Sequence, residues 1–146
     1  MKTYSEFKKQ AEKETNDLYD TACFFAFDKK QFTEGLEKFN IEREHAPELI
    51  VSISGGGFAL KKRVNDIREM GKKHNEQLRA LMEDEQFAIS AFDYELGNHE
   101  WIVTGNETDA IFALGYSVED VKNSEHLLKC LKAALKKQRE WAEKCW

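Results

Sequence analysis

Two short apolar runs constrain this chain more than any other feature. Ala22-Cys23-Phe24-Phe25-Ala26-Phe27 and Leu49-Ile50-Val51-Ser52-Ile53 are hydrophobic almost without interruption, yet each is far too short for a buried helix. Runs of that length, rich in aromatic and β-branched residues, are expected as buried strands. The stretches around them follow a helical period instead. Tyr4, Phe7, Ala11 and Leu18 share one face of a helix expected from about Ser5 to Leu18, with Lys8, Lys9, Glu12 and Lys13 toward water. Strands set among helices without regular alternation imply an α+β fold: three or four short strands packed by about five or six helices. The chain reads as one domain over residues 1–146, because no linker, repeat or low-complexity segment divides it.

Local signals fill in the order. Asp28 with Gln31 has capping-box spacing and opens a helix to about Phe39, with Phe32 and Leu36 inward. The stretch Asn40 to Glu48 holds the only proline, Pro47, and reads as a loop. Phe58-Ala59-Leu60 is either a return strand or the start of the next helix, which runs over 61–83 and which Gly71 is placed to divide. Residues 85–96 carry both a strand-like alternation and a helical face; the face is better populated, so a helix is expected, stopped by Gly97. Trp101-Ile102-Val103 is expected as a strand. Thr108 is placed to cap a short helix ended by Gly115, and Ser117 with Asp120 to cap the last helical region.

Composition excludes several classes. A net charge of -5 gives no global attraction to nucleic acid or to an anionic membrane. No apolar run approaches the roughly 18 residues of a bilayer span. The polar first 18 residues are no secretory signal, so the cytosol is the expected compartment. Cys23, Cys130 and Cys145 are odd in number and widely spaced, which is no disulfide framework. No Cys/His cluster has zinc spacing, and no cofactor motif is present, so neither metal nor cofactor is expected.

Three regions are candidates for function. Gly55-Gly56-Gly57, followed by Lys61 and Lys62, resembles a phosphate cradle in composition, since glycines expose backbone N–H groups. The P-loop pattern is absent, and a hairpin turn pairing Ile50–Ile53 with Phe58–Leu60 is the plainer reading. Tyr94, Asn98, His99 and Glu100 gather phenol, amide, imidazole and carboxylate within two turns of chain, a composition suited to proton transfer. The plainer reading has Asn98 and His99 tying a loop to backbone groups. The last helix ends in Trp141, Cys145 and Trp146, and exposed aromatics there would make an interface with a partner protein or a second copy. The acidic cluster Glu83, Asp84 and Glu85 is a further interface candidate, although a solvated helix end explains it equally. No complete set of nucleophile, base and anion stabiliser appears, so no catalytic residue is assigned.

Three words stand out: Phe24-Phe25-Ala26-Phe27 with Gln31-Phe32 and Glu34-Gly35; Ser52-Ile53-Ser54-Gly55-Gly56-Gly57-Phe58; and Tyr94-Glu95-Leu96-Gly97-Asn98-His99-Glu100-Trp101 with Asp109-Ala110 and Leu114-Gly115-Tyr116. In this order they resemble an uncharacterised family of small bacteriophage and mobile-element proteins, over roughly residues 22–122. The resemblance brings no activity and no catalytic residues. It implies a phage-type accessory protein in the host cytoplasm that inhibits a host defence protein, anti-CRISPR-like or of another anti-defence kind. The function expected on these grounds is non-enzymatic binding of a host protein by an acidic surface. The alternative is binding or sequestration of a small ligand or nucleotide at the glycine turn.

Overall fold

The structure, a computed structural model, describes residues 2–145. Trp146, an interface candidate above, lies outside them. Among the described residues there are nine α-helices and one three-stranded antiparallel sheet, an α+β architecture. The described residues form two compact units, 11–73 and 2–10 with 74–145. Helices α1 (Tyr4–Ala22) and α4 (Val64–Leu81) each contribute to both.

Residues 11–73 hold the sheet. Strands β1 (Cys23–Phe25), β2 (Ile50–Ile53) and β3 (Gly57–Leu60) lie in the order β1-β3-β2. Phe24 stands opposite Phe58, and Ile50 opposite Leu60. With the pleat alternating, these residues share one face, where they pack with Leu36 and Ala46 and against Phe32 and Phe39. Each such buried side chain contributes roughly 2 kcal/mol of hydrophobic stabilisation. Helix α2 (Lys29–Lys38) starts where its capping signal lies: the Asp28 carboxylate accepts the Gln31 N–H at 2.7 Å, and the Gln31 side chain accepts the Phe27 N–H at 2.7 Å. Gly35 lets α2 approach β1, because a Cβ there would overlap the Phe24 ring. Within the stretch Asn40 to Glu48, expected as loop, residues 43–45 form a 3-10 turn and the short helix α3 (Ala46–Leu49) follows, with Pro47 in its first turn where its missing N–H is harmless; α3 also takes in Leu49, expected as strand. Helix α4 runs through Gly71 unbroken, since an exposed glycine in a helix interior weakens it without stopping it.

The other unit is helical. Helix α5 (Glu85–Asn98) settles the ambiguous stretch: Phe87, Ala88, Ile89, Ala91, Phe92, Glu95 and Leu96 are all buried. It packs along α7 (Thr108–Ala113) and the long α9 (Glu125–Cys145). Trp101-Ile102-Val103 is not a strand; it belongs to the one-turn helix α6 (Trp101–Thr104). Glu100 and Gly105 on either side are both left-handed, at φ 54° and 66°, and they turn the chain so that Gly105 N–H reaches the Trp101 carbonyl at 2.7 Å. Among the described residues no neighbouring strand pairs with this segment, so its backbone bonds within itself. Glu107, not Thr108, holds the cap position of α7, while the Asn106 side chain accepts the Thr108 N–H at 2.8 Å. Ser117 and Asp120 do form a capping box, but on a separate short helix, α8 (Val118–Lys122). Ser124 then caps the Leu127 N–H of α9.

Candidate functional site

Helices α5, α6 and α9 leave a cavity of about 640 Å³ between them, within the usual range for a ligand-sized cleft. Trp101, Ile102 and Val103 of α6 supply one apolar wall and Trp141 of α9 another. The polar lining comes from Asp93, Glu100, Lys137 and Gln138. Val103 and Trp141 are 78% and 57% exposed, a large apolar surface turned to solvent. Two departures from local comfort meet here. Glu100 holds a left-handed backbone that costs a non-glycine residue about 1–2 kcal/mol. The Trp101 indole N–H is buried with no acceptor among the described residues, a loss of about 1–3 kcal/mol. Strain and an unsatisfied group together single out this cavity as the candidate site.

Residues one turn away on α5 do something different. Glu95 is buried, with 1% of its side chain exposed. Its carboxylate accepts from the Tyr4 hydroxyl at 2.6 Å, Lys8 Nζ at 2.9 Å and Asn98 Nδ2 at 3.4 Å, while His99 Nε2 stands 3.4 Å away. Burial pushes the Glu95 carboxyl up, but the Tyr4 and Lys8 hydrogen bonds, the Lys8 charge and the Asn98 amide outweigh it, so its pKa lies below the ordinary value. The Tyr94 ring packs edge-on to Tyr4, with Lys8 Nζ 5.0 Å from its centroid. Lys8, read as facing water, is therefore turned inward because it meets a buried carboxylate. The network anchors the first turns of α1 onto α5.

The sequence candidates thus separate. Asn98 and His99 converge on Glu95, whereas Glu100 lines the cavity. Gly55 and Gly56, at φ 77° and 80°, make the β2–β3 hairpin turn, and a Cβ on Gly56 would strike the Phe27 ring. Gly57 opens β3, while Lys61 and Lys62 follow its other end. Three strand residues, Phe58, Ala59 and Leu60, stand between the two groups and set Gly57 and Lys61 about 13 Å apart. Lys61 Nζ is bonded to the Pro47 carbonyl at 3.0 Å. Asp84 caps α5 by accepting the Phe87 N–H at 2.9 Å, and Glu85 pairs with Lys129. Glu83 is exposed just beyond the end of α4. Burial raises the thiol pKa of Cys23 and of Cys130, which keeps both protonated. Glu42, Glu44 and His45 lie close enough to share a cation, but all three are exposed surface groups. Asp93, Gln138 and Lys137 were absent from the sequence candidates. The signal available for them was the apolar triplet 101–103 and the aromatic end of α9, not their own identity.

A family pattern matches residues 3–137. The chain belongs to DUF7659, a family of unknown function. The match takes in α1 and most of α9, so the family extends beyond the central 22–122 stretch that carried the sequence resemblance. All the cavity residues named above except Gln138 and Trp141 lie inside it. No curated protein and no solved structure matches the chain. No helix among the described residues is long and apolar enough to cross a membrane.

Proposed function

We propose that this protein works by contact, binding a partner protein through the α6–α9 face. The observation that carries this reading is the exposed apolar surface of Val103 and Trp141 beside a cavity whose Glu100 and Trp101 are held in locally unfavourable states. The setting is the one that the word pattern implies: a phage or mobile-element accessory protein in the host cytoplasm, acting against a host defence protein. The net charge of -5 supports fast encounter with a basic partner. The alternative, binding of a small ligand or nucleotide at Gly55–Gly57, would draw on that turn without Lys61 and Lys62 beside it, since they follow the far end of β3.

Capture from the source cells with the whole chain, Val103→Asp and Trp141→Ala side by side tests this face. Both side chains are exposed, so both variants should melt with the wild type. The wild type should retain a partner that both variants lose, and high salt should weaken the complex. A captured protein that is indifferent to both substitutions removes this face from consideration. A dimer of the chain itself, abolished by Trp141→Ala, replaces the partner with a second copy.

A further inference from the structure

The polar groups left over in the α5–α6–α9 cavity specify the chemistry of its occupant. Gln138 Nε2 gives its hydrogen bonds to Asp93, at 2.8 Å to the carboxylate and 3.1 Å to the carbonyl. A neutral amide therefore orients Asp93 and leaves its charge in place. Glu100 adds a second carboxylate, and Lys137 is the one cation among the residues lining the cavity. Two indoles wall the same space. Trp101 already carries a guanidinium, with Arg139 Cζ 5.4 Å from its ring centroid, which shows the affinity of this wall for a planar cation. Trp141, 57% exposed, has no ring or cation partner recorded among the described residues.

We propose that this cavity receives an arginine side chain from a basic peptide segment of the partner. The inference rests on the contact reading above. A guanidinium stacks on an indole face and offers a fork of donors to a carboxylate, which an ammonium does less well. Trp141 supplies the face, Glu100 and Asp93 supply the acceptors, and the aliphatic stem lies along Ile102 and Val103. Lys137 opposes the incoming charge and limits the affinity.

Calorimetric titration of the whole chain at low salt tests this, with the capped tetrapeptide Gly-Arg-Phe-Gly and its neutral isostere carrying citrulline. The arginine peptide should bind about tenfold more tightly than the citrulline one, the modest gain of a half-exposed charged contact. Glu100→Gln and Asp93→Asn should each weaken it several-fold, Trp141→Ala should abolish it, and Lys137→Ala should strengthen it. Failure of the arginine peptide to bind, equal binding of the citrulline peptide, or a loss on Lys137→Ala overturns the assignment. Equal affinity for free arginine amide overturns the peptide and leaves a small cation. A partner captured through Trp141 yet insensitive to Glu100→Gln preserves the contact reading and eliminates the arginine.

Discussion

Glu95 shows how a single residue is read and misread from sequence. It sits one helical turn before Asn98 and His99, inside a segment whose composition invites a proton-transfer reading. Its decisive partners, Tyr4 and Lys8, come from 91 and 87 residues away. Periodicity places Tyr4 inward, but it assigns Lys8 to water by residue type, because a charge is turned inward only when a distant group compensates it. Removing that group is predicted to be severe: Glu95→Ala should lower stability by about 3 kcal/mol, seen as a lower denaturant midpoint, and Glu95→Gln by less, because the amide keeps part of the bonding. The pH dependence follows from the lowered pKa. The ionised form is favoured by folding, so its contribution is complete above the unfolded value of about 4.3 and disappears as pH falls through the lower folded value. The stability gap between wild type and Glu95→Gln should close over that acid window; a gap unchanged down to pH 2 would contradict the network.

At the scale of elements, α6 is where the sequence misleads. Three large apolar residues in succession have the composition of a strand, and only the two left-handed residues around them make a helical turn. Glycine at 105 announces one of these turns, but glutamate at 100 hides the other. Glu100→Gly should therefore raise the melting point, by about 1 kcal/mol of stability, while weakening arginine-peptide binding. A change that stabilised and also bound better would separate the strain from the site. Two helical glycines are expected to respond with opposite sign. Gly71→Ala, with nothing within 4 Å of its Cβ, should add about 0.8 kcal/mol. Gly35→Ala must displace the Phe24 ring and should cost about 2 kcal/mol, both measurable by chemical denaturation. Neither sign is legible in the sequence, where both are single glycines in helical stretches. The capping signals at Asp28 and at Ser117 with Asp120 were legible because their chemistry is local.

For the molecule as a whole, the two apolar runs gave the α+β class and two of the three strands, while the third, β3, was legible only as one of two readings of Phe58-Ala59-Leu60. The partition into two compact units was not legible, because its boundaries fall inside α1 and α4, where the composition does not change. Charge is also unevenly held: α9 carries six Lys and Arg against three Glu, in a chain of net charge -5. The total therefore acts on encounter at long range, while the lining of the cavity sets the preference at contact. One detail of that lining gives the protein its own spectroscopic probe. The chain has three tryptophans, and the N–H of Trp101 is shielded from solvent with no acceptor among the described residues. Its proton signal should exchange slowly with deuterium and stand apart from those of the other indoles, and any molecule that fills the cleft should shift it without a label being introduced.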